Sequence, residues 1–257
     1  MNWMKKVAVA LVCLLPLGLQ AAKIDTLQVK SPSMNKSIEV VVVSPDVAAT
    51  KACPVIYLLH GYGGNACTWV GIKPDLPKIA DEKGIFFVCP DGKNTWYWDS
   101  PLNADVRYET FISNELVKYV DSHYKTVADR KGRAITGLSM GGHGAMWNGL
   151  RHSDVFSAAG STSGGVDIRP FPKNWEKYTV INLVPTLRKD QIALIFDCGD
   201  SDFFLEVNKN YHEALLKQGI DHDFITRPGS HDSQYWNNSI DYQILFFWKH
   251  FLKMKAL

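Results

Sequence analysis

The sequence lacks several features, and each absence removes a class of function. It has almost no surplus charge: 28 Lys and Arg stand against 26 Asp and Glu, a formal net charge of +2. Lys5 and Lys6 account for that excess, since no acid precedes Asp25, and beyond them the two signs are equal. Such a balance gives nucleic acids and anionic membranes no general attraction. Cysteines are few, and no two stand in C-x-x-C spacing, which disfavours a zinc ribbon or a thioredoxin-like site. H-E-x-x-H and other clustered ligand spacings are missing too, so neither metal nor cofactor is expected. Repeats and low-complexity stretches are absent. The apolar run from Val7 to Leu19 is too short to span a bilayer comfortably.

That run has another use. Lys5 and Lys6 precede it and Gln20-Ala21-Ala22 follows, the order of a secretory signal peptide: a basic start, an apolar middle and small residues at the exit. Residues 1–21 are read as that signal, with cleavage after Ala21 or Ala22, and residues 22–257 as one catalytic domain. Cys13 follows Val12 where a lipid-attachment signal wants a small residue, so no lipoprotein anchor is expected. The mature protein is then secreted or periplasmic, with no membrane anchor. An oxidising compartment permits disulfides. Cys53, Cys67, Cys89 and Cys198 allow three full pairings, among which the sequence does not choose; free buried thiols are the simpler reading.

What is present is a globular composition, 46% hydrophobic and 21% charged. Strands are predicted over Ile24 to Val29, Ser37 to Ser44, Pro54 to His60, Ile85 to Cys89, Arg133 to Gly137, Phe156 to Ser161, Gln191 to Asp197 and His222 to Thr226. Helices are predicted over Asp75 to Lys83, Tyr108 to Tyr124, from the Gly-rich turn after Gly137 through Leu150, Glu206 to Gln218, and Ser239 to Met254. Alternation of the two implies an α/β fold, a mostly parallel sheet with helices on both faces. The two opening strands have no helix between them and are expected as an antiparallel edge. The long irregular piece from Gly164 to Asp190, carrying Pro170, Pro172, Trp175 and Tyr178, is expected to form a lid or pocket wall.

The strongest local signal is Gly137-Leu138-Ser139-Met140-Gly141, a G-x-S-x-G between a predicted strand and a predicted helix. That context is the one a nucleophile elbow of an α/β-hydrolase requires, with Ser139 as nucleophile. A serine nucleophile needs a base, and the base an orienting carboxylate, in the chain order Ser, acid, His. His143 lies one turn beyond the elbow and reads as a packing residue. His152, His212 and His250 fall on or beside helices and His222 at a strand start, where surface roles are expected; His60 reads as structural. His231, in Pro228-Gly229-Ser230-His231 between the last strand and last helix, is the candidate base. The acid should follow the penultimate strand, where Asp197 is expected to hydrogen-bond the turn and Asp200 and Asp202 remain open alternatives. The oxyanion hole needs two amides: Met140, after the nucleophile, and one from the His60-Gly61-Tyr62-Gly63-Gly64 loop. Trp96, Tyr97 and Trp98 follow a strand end near the expected active face and are candidates for an aromatic substrate-binding wall.

Leu58-Leu59-His60-Gly61, Asn94-Thr95-Trp96-Tyr97, Glu109-Thr110-Phe111, the Ser139 elbow, Asp197 to Leu205 and the His231 loop together resemble the esterase D group of the α/β-hydrolases. That group includes S-formylglutathione hydrolases, tributyrin-type and feruloyl esterases and, more distantly, mycolyltransferases. The resemblance covers nearly all of the mature chain. It implies that the acid is Asp202, which stands before Phe203-Phe204-Leu205, and that the second oxyanion donor is the amide of Tyr62. It also implies a carboxylic ester hydrolase acting on a small-molecule or carbohydrate ester. An export signal argues against cytosolic S-formylglutathione and points to acetyl or feruloyl esters of plant polysaccharide. Two alternatives are an acyltransferase with the same triad and a non-catalytic binding protein on a hydrolase fold.

Overall fold

The computed structural model describes residues 22–167 and 177–257. The expected signal peptide lies outside them, as do Pro170, Pro172 and Trp175 of the segment expected as a lid. Eight strands form one sheet: β1 (Lys23–Ser31), β2 (Lys36–Ser44), β3 (Val55–Leu59), β4 (Phe86–Pro90), β5 (Arg133–Gly137), β6 (Ala158–Thr162), β7 (Ala193–Gly199) and β8 (Asp223–Arg227). Their spatial order is β1-β2-β4-β3-β5-β6-β7-β8. β1 pairs antiparallel with β2, and β2 with β4. Every later pair is parallel. This is the α/β-hydrolase arrangement with an antiparallel N-terminal edge.

The helices are α1 (Thr68–Ile72), α2 (Leu76–Lys83), α3 (Tyr108–Thr110), α4 (Val117–His123), α5 (Met140–Arg151), α6 (Leu205–Gln218) and α7 (Ser233–Lys253). A π-helical turn over Phe111–Leu116 joins α3 to α4. Successive strand residues point to opposite faces. In β3, Val55, Tyr57 and Leu59 belong to the core layer that also holds α4, α5 and α6, through residues such as Val120, Trp147 and Tyr211. Ile56 and Leu58 meet the other layer, where Trp69, Ala80, Ile244 and Phe247 bring in α1, α2 and α7. Central strands buried on both faces read as the continuous apolar runs the sequence shows.

Two elements differ from their sequence expectations. α7 starts at Ser233, six residues before Ser239, because the Asp232 side chain caps it by accepting from the Tyr235 amide at 2.9 Å. α1 was not expected at all; its five residues carry one buried ring, Trp69, too little for a periodic signal.

Candidate active site

Ser139 sits between β5 and α5 with φ 52° and ψ −116°, a conformation that costs a non-glycine residue on the order of 1–3 kcal/mol. The surroundings hold it there. Its amide donates to the Thr162 carbonyl at 2.9 Å, and its carbonyl accepts from the His143 amide at 3.1 Å. A Cβ on Gly141 would collide with the Leu59 carbonyl, and one on Gly137 would lie 2.5 Å from the Gly141 carbonyl carbon. The flanking glycines of G-x-S-x-G are therefore required by the close approach of strand and helix.

The Ser139 Oγ lies 2.9 Å from His231 Nε2, and His231 Nδ1 lies 2.9 Å from Asp202 Oδ2. An ionised carboxylate only accepts, so Nδ1 carries the ring proton and Nε2 is left to accept from the serine hydroxyl. Burial pushes the Asp202 carboxyl up, but the His231 hydrogen bond and the Phe204 amide, at 2.8 Å, outweigh it and hold its pKa below the ordinary value. The imidazole is fixed on three sides. Phe203 lies 4.3 Å from it between ring centroids, Trp236 stands perpendicular at 5.1 Å, and Phe204 meets it edge-on at 5.5 Å. Asp200 lies outside this chain. Its Oδ1 accepts from the Gly229 amide at 3.2 Å and so props the loop that carries His231.

Met140 is the first residue of α5, so its amide has no carbonyl a turn earlier in the helix to donate to. The Tyr62 amide makes no hydrogen bond among the described residues. The loop that carries Tyr62 is braced on both sides. The Gly63 amide donates to Asn94 Oδ1 at 2.7 Å. His60 is buried, its Nε2 accepts from the Gly92 amide at 2.9 Å, and its Nδ1 therefore donates to the Gly61 carbonyl at 2.7 Å. The Asn94 brace was missed by sequence reasoning; its partner lies 31 residues away, with no periodicity to reveal it.

A cavity of about 390 Å³ opens on Ser139, walled by Tyr62, Trp96, Leu138, Phe203, Phe204 and Trp236. Of the three aromatic residues expected there, only Trp96 is in the wall. Tyr97 and Trp98 are buried core residues: Tyr97 donates its hydroxyl to the His60 carbonyl, and Trp98 packs on His143 and Tyr178. The reason is local. Trp96 and Tyr97 both have left-handed backbones, φ 58° and 59°, so the chain does not alternate as a strand would. His143 fastens this loop. It is fully buried, with its two ring nitrogens 3.1 Å from the Trp96 carbonyl and 3.0 Å from the Tyr178 carbonyl. Burial pushes its pKa down to about 4, against both carbonyls.

Asp197 does not bond the turn, as the sequence suggested. Its carboxylate turns beneath the site to α7, accepting from Ser239 Oγ and, at 2.7 Å, from Gln243 Nε2. Gln243 and Ser239 in turn bond Thr162, whose carbonyl receives the Ser139 amide. Burial outweighs these donors and the nearby Arg227, and raises the Asp197 pKa. Four further histidines lie elsewhere: His152 bonds Glu109, His212 pairs with His222, and His250 bonds Ser157, all four being part-buried rather than solvated. Cys53, Cys89 and Cys198 are buried free thiols and Cys67 an exposed one.

A family model described as "Putative esterase" matches residues 31–247. The acetyl esterase of Caldicellulosiruptor saccharolyticus is 27% identical over 214 residues, 72% of this chain and 79% of that protein. The S-formylglutathione hydrolase of Rattus norvegicus is 22% identical over 75% of this chain and 87% of its own length. Several other matched esterases are longer proteins, of which the chain spans about a quarter to a third. Among solved structures, a ferulic acid esterase superposes with a TM-score of 0.81 at 28% identity, covering 90% of this chain and 99% of the other.

Proposed function

This chain belongs to the Esterase family and is a carboxylic ester hydrolase, and on that premise we propose that Ser139 is its nucleophile, His231 its general base and Asp202 the carboxylate that orients the base. The observation that carries the assignment is the unbroken hydrogen-bond chain from the Ser139 hydroxyl through His231 to the buried Asp202, built on a strained serine. Ser139 Oγ attacks the ester carbonyl carbon while its proton passes to His231 Nε2. The Tyr62 and Met140 amides receive the oxyanion, a contribution for which one donor is worth on the order of 10²–10³ in rate. His231 then protonates the departing alcohol, and water repeats the sequence to release the acid. Asp202, held ionised, stabilises the imidazolium at each step.

The substrate is proposed to be an acetyl or feruloyl ester of plant polysaccharide. An apolar cavity with five aromatic residues in its wall suits such acyl groups, and an acetyl esterase and a ferulic acid esterase stand among the similar proteins. Export is part of the same reading, supported by Lys5 and Lys6, the run from Val7 to Leu19, and the small residues after it. Mass spectrometry of the exported protein should find an N-terminus at Ala22 or Lys23; a cytosolic protein retaining Met1 would overturn export.

The mechanism is tested by Ser139→Ala. Turnover of p-nitrophenyl acetate should fall by on the order of 10⁴-fold or more, with the circular dichroism spectrum unchanged. Undiminished turnover would remove Ser139 from the reaction. A panel of short-acyl, long-acyl and feruloyl esters, with acetylated xylan, then reads the acyl preference.

A further inference from the structure

The apolar cavity has a polar neighbour. A second cavity, of about 480 Å³, is bordered by Asn65 and Cys67, while Tyr62, Gly64 and Thr68 border the first. A single stretch of chain, residues 61–68, therefore separates the two. It is kept rigid by the Gly63–Asn94 bond, by the Asn65 amide donating to Thr68 Oγ1 at 2.9 Å, and by the Cys67 amide donating to Asn65 Oδ1 at 2.8 Å. The remaining lining comes from the antiparallel edge and the end of β4: Gln28, Lys36, Glu39, Asp91 and Lys93 among others. Gln28 pairs in register with Glu39, and the Asp91 amide donates to the Glu39 carbonyl at 2.9 Å. These residues belong to the edge of the sheet where the parallel strands end, the same edge that carries Ser139.

The chemistry of the second cavity differs from that of the first. Two cations, Lys36 and Lys93, face two anions, Glu39 and Asp91. Lys93 is spent on Asp91 at 2.6 Å, and Lys36 donates to the Asp105 carbonyl at 2.9 Å while lying over the Tyr108 ring. The two cations are balanced by the two anions, so an anionic thiol or phosphorylated alcohol would find no net positive charge here. The half-buried Glu39 carboxylate makes no side-chain hydrogen bond or ion pair among the described residues, and Glu39 lies directly across the β1–β2 ladder from Gln28, on the same face. A carboxylate acceptor next to amide donors and acceptors suits vicinal hydroxyls.

We propose that this second cavity is the binding site for the alcohol portion of the substrate, a neutral oligosaccharide, while the acyl group occupies the apolar cavity at Ser139. The proposal rests on the ester-hydrolase mechanism above and adds to it a place for the sugar. No residue of the second cavity reacts; its contribution is to binding, and so to KM.

The test compares kcat/KM for a feruloylated arabinoxylo-oligosaccharide with that for methyl ferulate, in the wild type and in the Glu39→Gln, Gln28→Ala double variant. The wild type should prefer the oligosaccharide ester by about tenfold, carried by KM, and the double variant should bring that ratio to near one. Unesterified xylotetraose should compete with the oligosaccharide ester in the wild type, a measurement that depends on no variant folding. Equal kcat/KM for the two esters in the wild type, a ratio unmoved in a folded double variant, or no competition by xylotetraose would each overturn the sugar site. These results are distinct from failure of the mechanism, which would appear as turnover of p-nitrophenyl acetate surviving Ser139→Ala.

Discussion

The two edges of the sheet are built from the same strands but to different standards. At the carboxyl edge, Lys93, Trp96, Tyr97, Ser139 and Ser163 all hold left-handed backbones, and two cavities open there. At the amino edge, a cavity of similar size, about 410 Å³, lies among Ile192, Asp223, His250 and Lys253, and the non-glycine residues of positive φ beside it are two, Asp190 and Lys255. A cavity alone therefore does not distinguish the working end. The concentration of backbone strain does, because each such residue costs on the order of 1–3 kcal/mol and persists only where the surroundings overdetermine it. Ser139 is overdetermined by its bonds to Thr162 and His143 and by the glycines that let β5 meet α5.

The sharpest way to break this contrast is at Ser139 itself, where alanine should remove at least about 10⁴-fold of the rate and leave the fold. The next effect divides two neighbouring acids. Asp202→Asn should lower kcat on p-nitrophenyl acetate by on the order of 10³–10⁴-fold, because an amide can donate to Nδ1 and stabilise the wrong tautomer. Asp200→Asn keeps an oxygen for the Gly229 amide and should cost no more than about threefold. Comparable losses at the two positions would show that the loop, and not the carboxylate on His231, limits catalysis. Asp202 also carries a stability signature. Its pKa is lowered in the folded protein, so its contribution is present above the ordinary carboxylate pKa and lost as pH falls through the folded value. Asp202→Asn should accordingly flatten the fall of Tm on the acid side, and an unchanged acid slope would count against a buried carboxylate held ionised by its hydrogen bonds.

How much of this could be read from the sequence depended on how local each signal was. The elbow is contiguous and its glycines are sterically required, so the strained turn that holds Ser139 is legible. His231 followed from its place between β8 and the last helix. The choice of Asp202 over Asp200 rested on family resemblance, because the two acids stand in one turn and differ only in which way the side chain points. The aromatic wall was read in part. Trp96 reaches the cavity, while the paired left-handed residues at 96 and 97 turn Tyr97 inward, a reversal that no residue-type pattern encodes. Asp197 differs from its expectation because its partners, Ser239 and Gln243, lie 42 and 46 residues away on α7, beyond the reach of any local spacing.

Two histidines make the finest comparison between the edges, since burial pushes both down to about 4. His143 fastens the Trp96 loop at the carboxyl edge; His250 donates to Ser157 Oγ at 3.0 Å, or accepts from it, at the amino edge. His143→Gln should lower kcat/KM by about tenfold, because the wall of the acyl cavity loses its clamp. His250→Gln should change kcat/KM by less than about twofold, since nothing at that edge touches the reaction. Their effects on stability should nevertheless share one sign. A histidine with a depressed folded pKa leaves the unfolded chain holding more protons between about pH 6.5 and 4, so the wild type loses stability as pH falls through that window. Glutamine at either position removes that loss. The Tm gap between wild type and each variant should therefore shrink from pH 7 to pH 5, measured by thermal melts in parallel with the kinetics. A gap that stays constant at His250 would mean that its ring is solvated enough to take up the proton in the folded state. The amino-edge cavity would then be a wet surface cleft, and the likeness between the two histidines would fail while the difference between the two edges stood.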